Sequence, residues 1–344
     1  MRDLLLKSWD RKSFLTGLLL PFSWLFQLIS KVRYWILKDQ TPFSVPVIVV
    51  GNLSVGGTGK TPMVIWLAQL LKEKGYTPGI VLRGYKSKLA TDQVMIVDDK
   101  CDPQIVGDEA VLLASKTHSP VAIGAHRKKA IELLLSKETN VDLVISDDGL
   151  QHYAMHRDIE IIVLGANRLG NGYCLPAGPL RENASRLKKA DFIITQSDPK
   201  HNEWKGTRTL SEHVYKLNDH NQTKVLSHFK GQTVNAIAGI GNPTAYFNML
   251  EEQGINVIAH AFTDHHGFEV KDFATLAEHP ILMTEKDAVK CMQFNLPNAW
   301  VVPLEVTLPE AFIEQFLRRL NGQKITRHSC MPNLQTTPDL QKSE

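Results

Sequence analysis

The sequence predicts an α/β fold, a parallel sheet flanked by helices followed by a second, smaller α/β unit, and three observations carry the prediction. Val47 to Val50 are four consecutive β-branched residues, the pattern of a strand covered on both faces. Runs of this kind alternate with segments of helical periodicity, such as Met63, Val64, Trp66, Leu67, Leu70 and Leu71, and that alternation is the mark of parallel sheets. From about Val225 the strand-and-helix pattern starts again.

A chain of 344 residues, 43% hydrophobic and 22% charged, has room for two domains. Its net charge of +3 gives no argument for nucleic acid. Cys101, Cys174, Cys291 and Cys330 are scattered without metal spacing, which suits a reducing compartment and no disulfide framework.

Taken in order, Ser13 to Ser30 carries no charge and is strongly apolar. Pro21 interrupts it, and Thr16, Gly17, Ser23 and Gln27 dilute it, which weakens a spanning helix. After Pro21, Phe22, Leu25, Phe26, Ile29, Val32 and Ile36 form one stripe, with Ser23, Gln27, Ser30, Lys31 and Lys38 opposite. Residues 1–40 hold seven basic residues against three acidic ones, so the segment is expected to lie on a membrane surface. The competing expectation is a terminal helix packed on the protein's own core.

Pro46 to Pro62 reads as strand, glycine-rich turn and helix start. Ser54, Val55, Gly56, Gly57, Thr58 and Gly59 lead into Lys60 and Thr61. The glycines let successive N–H groups face an anion at a helix N-terminus. Lys60 is placed for β and γ phosphates and Thr61 for Mg²⁺. Ser54 stands where the phosphate-loop pattern has its first glycine, a departure that leaves Gly59-Lys60-Thr61 intact. The fold class is thus of P-loop NTPase type.

Gly79 to Leu82 is a short strand whose loop brings Arg83 toward the phosphates. Gly107-Asp108-Glu109 opens a helix, where Asp108 is either an N-cap or a reacting carboxylate. Arg127 begins a helix through Leu135 and is expected on the surface. Val141 to Ser146 is an apolar strand ending in Asp147-Asp148. Adjacent acids at a strand tip repel one another unless a cation compensates, and such a carboxylate holds Mg²⁺ in P-loop proteins. Ile159 to Leu164 is another strand, with Arg181 and Glu182 on a following loop, the usual address for ligand contacts. Asp191 to Gln196 closes the first domain.

In the second domain Thr233 to Ala238, Val257 to Phe262, Ile281 to Met283 and Trp300 to Val302 are strands, the last of these the final one. Gly239-Ile240-Gly241 lacks the third glycine of a dinucleotide site and reads as a tight turn. His265 and His266 have no third ligand at metal spacing; a histidine sharing a proton with a carboxylate is the better reading. The expected domains are 1–40 for membrane contact, 41–224 for the phosphate-loop core, 225–325 for the smaller unit and 326–344 for a disordered tail.

Together the motifs resemble the tetraacyldisaccharide 4′-kinase family, the lipid A 4′-kinases. The resemblance rests on Gly51 to Pro62, Arg83-Gly84-Tyr85, Gly107-Asp108-Glu109, Asp147 to His152, Pro179 to Glu182, Asp264-His265-His266 and Thr284 to Asp287, in the family's order across nearly the whole chain. Thr263 replaces an expected proline and Leu150 an expected phenylalanine, and neither removes a reacting group. The resemblance implies transfer of the ATP γ-phosphate to the 4′-hydroxyl of an acylated disaccharide 1-phosphate at the cytoplasmic face of the bacterial inner membrane, with ATP and Mg²⁺ and with no nucleic acid or obligate protein partner. By the same likeness Lys60 neutralises the transferred group, Thr61 with Asp147 or Asp148 holds Mg²⁺, and Asp108, assisted by His265 or His266, accepts the hydroxyl proton. Arg83, Arg181 and Glu182 then position phosphate, metal or acceptor. The alternatives are a membrane-associated nucleotide switch, which carries an early loop lysine where this chain has Val55, and a kinase for another acceptor.

Overall fold

The computed structural model describes residues 9, 13–38, 41–276 and 278–330. The basic residues Arg2, Lys7, Arg11 and Lys12 and the tail after 330 lie outside the described residues.

The larger sheet contains β1 (Val47–Gly51), β2 (Pro78–Leu82), β3 (Val94–Val97), β4 (Val121–Gly124), β5 (Leu143–Asp147), β6 (Ile159–Leu164), β7 (Phe192–Thr195) and β8 (Trp204–Lys205). Their order is β3-β4-β2-β5-β1-β6-β7-β8, and the edge pair β3 with β4 is antiparallel while the others are parallel. Alternate residues of β1 serve opposite faces: Ile48 and Val50 join one apolar cluster, Val47 and Val49 the other. All four are fully buried, each contributing on the order of 1.5–3 kcal/mol. Because β5 lies beside β1 in register, with Val50 opposite Asp147, the loops that leave these two strands meet at one end of the sheet.

The second sheet has six strands: β10 (His213–Lys216), β11 (Asp219–Val225), β12 (Thr233–Ala238), β13 (Asn256–Ala261), β14 (Ile281–Thr284) and β15 (Ala299–Val302), ordered β11-β10-β15-β14-β12-β13. It therefore begins at His213, ahead of the boundary at 225 drawn from the sequence. Its first two strands lie at one edge of the sheet, β11 mostly exposed and polar and β10 fully burying only Val214, so they carry no apolar run. Between the sheets lies a two-stranded ribbon of β9 (Thr207–Leu210) and β16 (Leu304–Thr307), and the chain passes through it in both directions. Val302 is thus not the end of the strands.

Eight helices are described: α1 (Phe14–Leu37), α2 (Lys60–Glu73), α3 (Pro103–Val106), α4 (Asp108–Thr117), α5 (Arg127–Lys137), α6 (Pro243–Glu252), α7 (Glu285–Cys291) and α8 (Glu310–Cys330). Helix α8 runs beyond Thr326, where the sequence reading began a disordered tail. It also returns to the larger sheet: Phe312, Phe316 and Leu320 are fully buried there, with Phe312 5.3 Å from the Phe192 ring.

Helix α1 is continuous through Pro21, which removes one backbone bond without stopping the turns around it. It docks by its small polar residues. Thr16 and Ser23 are buried, and the Ser23 hydroxyl donates to the Cys174 carbonyl at 2.9 Å. The apolar face looks outward, with Trp24 63%, Trp35 76% and Ile36 74% exposed. That is the reverse of a terminal helix packed on its own core.

Candidate active site

Strand β1 delivers the glycine-rich loop to the first turn of α2. Gly56 and Gly59 sit at φ +106° and +84°, a region that glycine enters without steric cost. Lys60 is the first residue of α2, so the free N–H groups of that helix end face the loop's interior. The loop is held from the side by the segment after β6: the Val55 N–H donates to the Pro179 carbonyl at 2.9 Å, and the Arg181 N–H to the Leu53 carbonyl at 2.6 Å. This pairing places Arg181 over the tip of β5. Its guanidinium lies 3.0 Å from Asp148, and Lys60 Nζ lies 3.6 Å from the same carboxylate.

The two acids differ sharply. Asp147 is 3% exposed, and its Oδ1 has no hydrogen-bond partner among the described residues. Burial first, and then the Glu109 charge, push its carboxyl well above the usual range. Burial also pushes Asp148 up, but the Lys60 and Arg181 charges outweigh it and hold that carboxyl below its ordinary value. An orphaned buried carboxylate oxygen on a residue that lines the same cavity as Thr61 fits Mg²⁺, which in nucleotide sites keeps water and phosphate oxygens as most of its ligands. Glu182 is differently employed: Gln151 donates to it at 2.9 Å and Arg186 lies 3.5 Å away. It braces the loop under Arg181 and does not join the acid pair.

Across the cavity the second domain contributes a histidine. Gly107, at φ +94°, turns the chain so tightly that a Cβ would meet the Tyr85 carbonyl at 2.9 Å, and Asp108 follows as the first residue of α4. His265 Nδ1 stands 2.9 Å from both Asp108 oxygens. Lys286, from the first turn of α7, lies 3.2 Å from His265 Nε2 and 3.1 Å from Glu109. Burial raises Asp108, yet the His265 hydrogen bond and the Lys286, His265 and Lys290 charges prevail and lower it. His266 is turned elsewhere: its Nε2 is 3.0 Å from Asp272, and its ring packs 4.6 Å from Phe262 and 4.9 Å from Phe268. Of the two histidines, only His265 reaches Asp108.

Arg127 corrects the sequence reading. It is not a surface residue but is 2% exposed, donating to the Gly124 carbonyl at 2.8 Å and to the Asp147 carbonyl at 3.3 Å. Burial lowers its guanidinium to about 10. The signal that could have found it was β4 directly before it, which makes it another residue on a strand-following loop. Arg83 is exposed on the cavity wall and has no carboxylate partner among the described residues. His152, also on the wall, is lowered to about 4 by burial and then by the Arg127 charge. The phosphate loop, both acids, His265 and the inner edge of α1 at Phe26, Ile29 and Arg33 all line one cavity of about 1590 Å³.

The glycine-rich loop and the acids at the tip of β5 are those of a P-loop protein, and the second domain brings His265 to the same cavity. Fold and site define a P-loop kinase. The profile of the family described as tetraacyldisaccharide-1-P 4′-kinase, LpxK, matches residues 15–321, and the chain belongs to that family. It is 47% identical over 317 residues to the tetraacyldisaccharide 4′-kinase of Haemophilus influenzae, covering 88% of this chain and 92% of that one. The Nitrosococcus oceani enzyme of the same name is 43% identical over 323 residues, covering 92% and 94%. Among solved structures, the "apo" form of LpxK from Aquifex aeolicus in complex with ATP superposes with a TM-score of 0.75 at 31% identity, covering 90% of this chain and 99% of that one.

Proposed function

We propose that this kinase transfers the γ-phosphoryl group of ATP to the 4′-hydroxyl of a tetraacyldisaccharide 1-phosphate. The observation that carries the mechanism is the Asp108–His265 pair, joined at 2.9 Å between the two domains, with His265 lining the same cavity as the phosphate loop. Gly56 to Thr61 hold the triphosphate through backbone N–H groups, and Lys60 neutralises oxygens of the transferred group. Arg181 and Arg83 bring further positive charge to the phosphate end. Thr61 and the unpartnered Oδ1 of Asp147 would hold Mg²⁺, which when bound would supply neutralisation of the charge on the triphosphate. The acceptor oxygen forms its bond to the γ-phosphorus as the bond to the bridging oxygen breaks and ADP leaves. The hydroxyl proton passes to Asp108.

His265 sets the direction of that transfer. Lys286, a donor only, faces Nε2, so the ring proton resides on Nδ1 and points at Asp108. That hydrogen bond occupies part of the carboxylate and orients the remainder toward the hydroxyl. The acceptor's acyl chains would enter beside α1, whose outward apolar face lies on the membrane while Phe26 and Ile29 line the cavity. This supports action at the cytoplasmic face of the bacterial inner membrane.

The test is transfer of labelled γ-phosphate from ATP to tetraacyldisaccharide 1-phosphate in detergent micelles with Mg²⁺, run beside Lys60→Ala. A labelled lipid that disappears in the variant is expected. ATP hydrolysis indifferent to the sugar lipid would overturn the proposal in favour of a switch.

A further inference from the structure

The ribbon between the sheets carries a cation that the proposed mechanism does not use. Arg208, on β9, is half-buried, yet no carboxylate pairs with it among the described residues. Burial lowers its guanidinium, and no neighbouring acid opposes the shift. Its Nη2 donates to the Gln196 side-chain oxygen, and the Gln196 amide in turn donates to the Thr58 carbonyl at 2.9 Å. The guanidinium is pressed against the phosphate loop so closely that a Cβ on Gly59 would come within 2.6 Å of Nη1. Removing an arginine from water without an acid beside it costs free energy, and the structure places that cost against the glycine-rich loop at Thr58 and Gly59.

We infer that Arg208 is a nucleotide-phosphate ligand supplied by the interdomain ribbon, complementing Lys60 from the opposite side of the phosphate loop. The inference rests on the proposed nucleotide site. It adds a residue that the phosphate-loop pattern does not contain and that comes from beyond the first sheet. Both passages of the chain between domains run through this ribbon, so a phosphate that engages Arg208 also fixes the strand from which the second domain hangs. Nucleotide occupancy and the setting of His265 against Asp108 are thereby linked through one side chain.

The experiment compares ADP and adenosine binding, by calorimetry or competition, in the full-length wild type and in Arg208→Gln and Arg208→Lys. Glutamine keeps a polar group for Gln196 but removes the charge, and lysine restores the charge. Loss of a charge-assisted contact should weaken ADP roughly 10-fold or more in Arg208→Gln, leave adenosine unchanged and be partly recovered in Arg208→Lys. In turnover the same variant should raise KM for ATP more than it lowers kcat. Equal ADP affinity in wild type and Arg208→Gln would overturn the inference. So would equal losses for ADP and adenosine, because a merely structural arginine would affect both. Wild-type protein that fails to bind ADP would instead bring down the nucleotide site itself, and the role of Arg208 with it.

Discussion

Lys286 Nζ lies 3.2 Å from His265 Nε2 and bridges to Glu109 at 3.1 Å, so one ammonium group from the second domain touches both the histidine and the helix that carries Asp108. Burial alone would lower the ammonium, but Glu109, Asp108 and Asp264 together raise it far above its ordinary value. It stays charged at every working pH.

Replacing Lys286 by methionine should therefore lower kcat/KM by about 10- to 100-fold, since the histidine loses its fixed tautomer and the carboxylate a positive neighbour. The sign of the pH effect follows from the charge. Lys286 helps hold the Asp108 carboxyl down, so its loss raises that carboxyl, and the acidic limb of the kcat/KM profile should move to higher pH. An unmoved acidic limb would show that Lys286 does not act on the base.

The two histidines offer a sharper contrast. His265→Ala breaks the contact with Asp108 and should cost about 10²-fold in kcat, with ATP affinity little changed. His266→Ala breaks the pair with Asp272 and the packing on Phe262 and Phe268, so thermal stability should fall while kcat stays within a few-fold. Turnover and a melting curve on both variants separate the roles. Equal losses of kcat would mean that adjacency in sequence had been a better guide than the side-chain directions.

Much of this site was legible in the sequence because its residues sit on short loops directly after apolar strands. Gly59-Lys60-Thr61 and Asp147-Asp148 both follow four- to six-residue buried runs, and the adjacency of β1 and β5 then brings them together. Which histidine faces Asp108 was not legible. His265 takes a positive φ of 59°, and that backbone choice turns the neighbouring rings in opposite directions. Arg127 was missed because β4 is only Val121–Gly124, too short to register as a strand. Helix α8 was missed because the polar residues Glu310, Glu314, Gln315, Arg318 and Arg319 surround a narrow line of Phe312, Phe316 and Leu320.

The apolar face of α1 supplies a prediction about location. Trp35 and Ile36 are among its most exposed residues, and the helix is held to the body through Ser23, Gln27 and Tyr34, with Gln27 3.1 Å from Asn183 and the Tyr34 ring 5.1 Å from Tyr153. Trp35→Glu with Ile36→Glu should leave the melting temperature within about 2 °C of wild type but reduce co-sedimentation with anionic liposomes several-fold. Activity on acceptor in mixed micelles should fall with it. Unchanged sedimentation would leave the exposed stripe without a membrane role.

Asp147 places function against stability. Its carboxyl is buried, lacks a partner for Oδ1 and is raised above its unfolded value by burial and by Glu109. A group raised in the folded state contributes stability that is fully present below its unfolded value near pH 4 and is lost as pH rises through the folded value of about 7. At neutral pH and above, the ionised carboxylate is therefore a cost that the fold carries. Asp147→Asn removes the charge at nearly constant shape, so without Mg²⁺ the variant should melt roughly 2–5 °C above wild type at pH 8, with the advantage shrinking toward pH 5. It should also lose most of its phosphoryl transfer and the thermal stabilisation that Mg²⁺ with nucleotide gives the wild type. Melting curves at the two pH values, with and without Mg²⁺ and ADP, check both halves. A variant less stable than wild type at pH 8 would mean that Asp147 is satisfied by the protein alone, and the case for a cation at its orphaned oxygen would fall.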